Sequence, residues 1–202
     1  MRRTHRTLIA RVGALLLALA PSVAFAHPVG QSAQGFMSGL SHPVFGLDHF
    51  LAMLSVGIVS AQLGRERIWT VPGMFVLAMI VGAIFGIKGH VWAFSEAGIA
   101  CSLIMLGIAI ATVNEAVSSW PVLIAVAAFG TLHGHAHGLE LPKAADPVFY
   151  AAGFLTSTIC IHLLGVGIGY LFTKRLSLIV LLRHLGSGIT GIGLMFLKLA
   201  AG

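Results

Sequence analysis

Seven side chains able to hold a transition metal fall in two short stretches of an otherwise apolar chain, and six of them are the main candidates. These six are His42, Asp48 and His49 in HPVFGLDH, and His133, His137 and Glu140 in HGHAHGLE. Imidazole nitrogen with a few carboxylate oxygens suits borderline divalent ions such as Ni²⁺, Co²⁺ or Zn²⁺, and the lack of a Met or Cys ladder argues against Cu⁺. A site through which an ion passes needs moderate affinity, because the ion must leave as well as enter. Asp48 can serve such a site in two ways, as a ligand or by accepting the hydrogen of an imidazole and orienting it, and spacing does not separate the two.

On a helix, His133, His137 and Glu140 stand at i, i+4 and i+7 and form one stripe, while His135 points to the opposite side. Gly134 and Gly138 are expected to loosen that helix near its end. His42 and His49 are also seven apart and are expected on one helix, with Pro43 in an early turn. Weaker candidates surround these six. Removal of an export signal would leave His27 at the N-terminus, where its amino group and imidazole could chelate together. Glu96 and the loop residue His90 fall on the same side as the two clusters, and His135 lies among the second. His162, in mid-span, and His184, at a boundary, are read first as hydrogen bonders between packed helices.

These groups must be positioned by membrane helices. With 57% hydrophobic residues and 9% charged in 202 residues, and a mean hydropathy of +0.97, the chain cannot bury its apolar surface in a soluble domain. An ionised group at bilayer depth costs roughly 2.5–3.5 kcal/mol on insertion scales, so one that persists there has a partner or a task. The 25 glycines predict helices that approach closely, since small residues rather than hydrophobic force drive association in lipid.

Residues 1–26 read as a secretory signal, with Arg2, Arg3, Arg6 and Arg11, an apolar core from Val12 to Ala20, and Ala24-Phe25-Ala26 before the cleavage point. Residues 27–202 then form one transmembrane domain. Without those four arginines the formal charge of +6 falls to +2, because eight Lys and Arg remain against six Asp and Glu. Nothing in that balance points to nucleic acid. Cys101 and Cys160 lack CxxC spacing and read as small core residues, not as a disulfide or a thiolate site.

Apolar runs long enough to span fall at about 42–63, 69–88, 97–113, 121–139, 147–172 and 184–201, an all-α bundle of six helices. Arg65 and Arg67 follow the first run and Lys174, Arg175 and Arg183 the fifth, so the positive-inside rule places both termini outside. An exported N-terminus requires the same orientation. His49 and His133 then lie at one depth, each roughly 10 Å below its outer helix end at 1.5 Å per residue.

With these motifs the chain resembles the HupE/UreJ family of small nickel or cobalt permeases, associated with hydrogenase and urease gene clusters. The resemblance rests on His42-x5-Asp48-His49 and on His133-Gly134-His135-Ala136-His137-Gly138-Leu139-Glu140, with the signal, the length and the six-span layout extending it over the whole chain. Leu132 stands where the family usually has Phe, and a related group of nickel/cobalt permeases has one residue fewer between its first His and Asp. The resemblance implies uptake of Ni²⁺, or Co²⁺, across a bacterial inner membrane for metalloenzyme assembly. It implies roles for His42, Asp48, His49, His133, His137 and Glu140, with the metal as cargo and no cofactor. A homo-oligomer stays open. Two rival readings are an intramembrane metalloenzyme, disfavoured because Gly134 replaces the Glu of HEXXH, and an accessory subunit that binds metal without moving it. No P-loop is present to couple nucleotide hydrolysis to transport.

Overall fold

A computed structural model describes residues 31–141 and 146–201, the side chains of Gln31, Ser32 and Glu140 excepted. The signal segment and His27 lie outside the described residues. Seven α-helices follow in order: α1 Gln31–Phe45, α2 Leu47–Gln62, α3 Thr70–Ile87, α4 Ser95–Thr112, α5 Ser119–Glu140, α6 Pro147–Thr173 and α7 Leu176–Ala200. The protein is an all-α polytopic membrane protein. Five helices are each long and apolar enough to cross a membrane, and α1 with α2 supply a sixth crossing if that bent pair is one span.

The first span departs from the expected single helix. Pro43 lies near the end of α1, where it has no N–H to offer the carbonyl of Gly39. Gly46 then takes an extended conformation (φ −79°, ψ 101°) as the N-cap of α2, and the two helices meet at 79°. His42 and His49 therefore stand on different helices. Hydropathy runs unbroken across the joint, so the apolar pattern carries no trace of the bend.

The short helix α2 is the centre of the bundle, with most of its residues from His49 to Gln62 buried. It packs on α6, α4 and α3, while α3 pairs with α5 and α4 with α7. Glycines make these crossings. A Cβ on Gly57 would strike the His162 carbonyl of α6, and one on Gly165 would strike the Leu54 carbonyl of α2. Gly134 and Gly138 likewise lie on the α3 backbone at Met79 and Ala83. They do not loosen α5, which continues unbroken to Glu140; they let α3 approach it. Apolar side chains such as Leu77, Ile84, Leu171 and Leu194 face outward, as a lipid solvent requires.

Helix ends follow local chemistry. Asp146 caps α6 by accepting from the N–H groups of Val148 (3.0 Å) and Phe149 (3.4 Å), with Pro147 in the first turn. Gly64, at φ 96°, turns the chain out of α2 into a short 3₁₀ turn at Arg65–Arg67. Helix α7 begins at Leu176, eight residues before the expected start, so Arg183 is an exposed helical residue and not a loop residue. Cys160 is exposed on α6 and Cys101 half-buried; both are free thiols, and Cys160 is not in the core.

Candidate metal centre

Four imidazoles from three helices meet at one end of the bundle. His42 comes from α1, His49 from α2, and His133 and His137 from successive turns of α5. Ring centroids lie 5.0 Å apart for His42 and His137, 4.3 Å for His137 and His49, and 5.0 Å for His49 and His133. His42 is half-buried and the other three are buried, His133 completely. The two sequence clusters thus converge, although the 79° bend at Gly46 puts His42 and His49 on separate helices and not on the single helix their spacing suggested.

Hydrogen bonds fix which nitrogen each inner ring presents. His133 Nδ1 lies 2.9 Å from the Phe129 carbonyl one turn earlier. A carbonyl only accepts, so Nδ1 carries the hydrogen and Nε2 of the neutral ring bears a lone pair. His49 Nδ1 donates to Asp48 Oδ1 at 2.7 Å, and the same oxygen accepts the His49 backbone N–H at 2.9 Å. Asp48 thereby acts as the orienting carboxylate for His49, and His49 Nε2 also bears its lone pair. Both Nε2 atoms are buried and without a hydrogen-bond partner. Such an atom is costly in a protein interior, and a ligand would offset that cost.

Aromatic side chains wall the site. Phe154 lies 4.2 Å from the His137 ring and 6.3 Å from His42, with Tyr150 6.1 Å from His42. Phe75 of α3 closes the inner side, 5.4 Å from the His133 ring. These three residues carry no signal in an apolar sequence, and only the packing of α3 and α6 reveals them. On the opposite side, Asp48 and Glu96 line a small cavity with Ile99, Phe196 and Leu199. Both of these carboxylates thus border one recess beside the imidazoles.

Of the weaker candidates, His135 turns away from the cluster. Its ring stacks on Trp92 at 4.0 Å, its Nε2 donates to the His90 carbonyl, and its Nδ1 accepts from the Ser95 hydroxyl at 2.8 Å. With both nitrogens engaged it ties α5 to the loop before α4. His162 is buried in α6 without any hydrogen-bond partner, contrary to its reading as a helix-packing hydrogen bonder. His184 is exposed on α7. The Glu140 side chain and His27 lie outside what is described. Among the described residues, no three His, Cys, Asp or Glu side chains are arranged to close on an ion as they stand. The rings meet edge-on and tilted, so an ion would draw them together by rotation about χ1 and χ2.

The whole chain can also be set against known proteins. A family model described as HupE / UreJ protein matches residues 15–196. The chain belongs to the HupE/UreJ family. It is 42% identical over 163 residues to Protein HupE of Rhizobium leguminosarum bv. viciae, a match covering 80% of this chain and 84% of that one. No solved structure matches it. HupE/UreJ membership supports metal uptake in general as the activity, and the matched region contains every imidazole of the converging file.

Proposed function

We propose that this chain is an inner-membrane permease that takes up a divalent transition metal ion, Ni²⁺ first and Co²⁺ as the alternative, through the histidine file between α1, α2 and α5. The observation that carries this reading is the pair of buried Nε2 lone pairs on His49 and His133, each held in place through its ring's other nitrogen. An ion gathered at the Asp48/Glu96 recess exchanges waters for imidazoles, with His42 and His137 at the mouth, and by family resemblance Glu140 supplies an oxygen ligand. Nitrogen ligands disfavour Mg²⁺ and Ca²⁺, which require oxygen.

Orientation follows from charge. Arg65, Arg67 and Glu115 share one cavity, and Glu115 and Arg183 another, both at the end away from the histidines. The positive-inside rule makes that end cytoplasmic and the His42 end periplasmic, with both termini of the mature chain periplasmic. By family resemblance the ion is destined for hydrogenase or urease assembly. Gly134, in place of a general base beside His133, supports transport over hydrolysis. Accumulation of ⁶³Ni²⁺ in proteoliposomes holding the purified chain tests the reading. Saturable uptake is expected; binding without accumulation would make the protein an accessory metal binder.

A further inference from the structure

The ring file does not stop at His133. Phe75, fully buried, lies between His133 and His162, with centroids 5.4 Å from the first and 5.3 Å from the second at 90°. His162 is 2% exposed, and both its ring nitrogens lack hydrogen-bond partners. Thr158, one turn earlier on α6 and fully buried, holds its hydroxyl oxygen equally unpartnered. A neutral imidazole buried with two unpaired nitrogens is a poor packing group, since a Leu of similar volume would fill the space without desolvating polar atoms.

The place of His162 along the bundle is fixed by α2. Gly57 of α2 sits against the His162 carbonyl, and eight residues separate it from His49, which at 1.5 Å per residue is about 12 Å farther from the His42 end. On the far side, His162 borders an apolar groove of about 340 Å³ that opens outward between α3 and α6 at the exposed Leu77, Ile159 and Leu163 and reaches Ile68 and Trp69, next to the Arg65–Arg67 turn. Of the residues lining that groove His162 alone carries a side-chain atom able to ligate a metal.

We propose that His162 is an inner binding position for the transported ion, separated from the His49/His133 pair by the Phe75 ring, which must swing aside for the ion to pass. This rests on the permease reading and adds to it a second imidazole stop on the cytoplasmic half. The Thr158 hydroxyl supplies an oxygen beside it. Phe75 keeps the two stops from being continuous, so that water and protons do not follow the ion through an open file.

The test separates capture from translocation. Purified parent, His162→Leu and His162→Gln are compared for Ni²⁺ binding by equilibrium dialysis and for ⁶³Ni²⁺ accumulation in proteoliposomes, with thermal unfolding as a check on folding. The expected result is Ni²⁺ affinity at the His49/His133 site within twofold of the parent, unfolding at the parent temperature or above for His162→Leu, and accumulation reduced at least tenfold. Accumulation within twofold of the parent, in either folded variant, would make His162 a packing residue and overturn the inference while leaving the permease reading intact. Should His162→Leu not fold, His162→Gln decides by the same two outcomes. A parent that accumulates no nickel overturns the permease reading itself, and this inference with it.

Discussion

His49 and His133 lie with their ring centroids 5.0 Å apart, each anchored through Nδ1 and each leaving a buried Nε2 without a partner. Two helices remote in sequence thus bring two unpartnered lone pairs into one buried neighbourhood. If the pair acts as one site, losing either imidazole disables it. His49→Ala and His133→Ala are each expected to lower ⁶³Ni²⁺ uptake at least tenfold, and the double variant to lose little beyond the worse single, because groups that work as a unit are not additive. Cell uptake at equal membrane abundance measures this.

Asp48 works through His49. Removing its carboxylate frees the Nδ1 hydrogen and the ring orientation, a type of change that typically lowers metal affinity 10- to 100-fold. Asp48→Ala is expected in that range by equilibrium dialysis. Asp48→Asn, whose amide oxygen can still accept from Nδ1, falls between it and the parent.

His135 is expected to matter for stability and not for affinity. Truncation to Ala removes the Trp92 stack and leaves the Ser95 hydroxyl and the His90 carbonyl without their partner, at a cost of about 1–3 kcal/mol. Thermal unfolding in detergent should fall, while Ni²⁺ affinity per folded molecule stays within twofold of the parent.

The glycine crossings give a paired test of the fold. Gly134→Ala places a methyl on the Met79 carbonyl and should drive α3 from α5, abolishing uptake or accumulation of the protein. A Cβ at Gly188 or Gly191 would meet no other part of the protein within 4 Å, and alanine at either should leave abundance and uptake unchanged. Western blotting of membranes beside ⁶³Ni²⁺ uptake separates the cases.

Topology is checked by single cysteines in a chain with Cys101→Ser and Cys160→Ser. Val91→Cys, in the loop at the histidine end, should react with a membrane-impermeant maleimide in spheroplasts. Val117→Cys, beside the arginine-rich end, should react only after permeabilisation. Both residues are exposed. The reverse pattern would place the mouth in the cytoplasm.

Much of this arrangement can be read from residue types alone. Long apolar runs fix four helices, α3 to α6, within a few residues, and the i, i+4 spacing of His133 and His137 sets both against α2 with His135 on the other side. The bend at Gly46 is hidden because Pro43 is compatible with a helix start, and apolar residues continue on both sides of it. The early start of α7 is hidden because Arg183 reads as a loop charge, although a long side chain on an exposed helix face near a membrane surface reaches water. The contact between His162 and Phe75 joins residues 87 positions apart inside uniformly apolar stretches, and only the glycine-mediated seating of α2 on α6 brings it about.

The convergence of imidazoles on the ion is tested most directly by X-ray absorption at the nickel edge on the purified chain loaded with one equivalent of Ni²⁺. The expected spectrum carries the outer-shell scattering of at least two histidine rings, reduced in His49→Ala and in His133→Ala. An all-oxygen shell, or a histidine signal unchanged in both variants, would contradict a metal centre built on that pair.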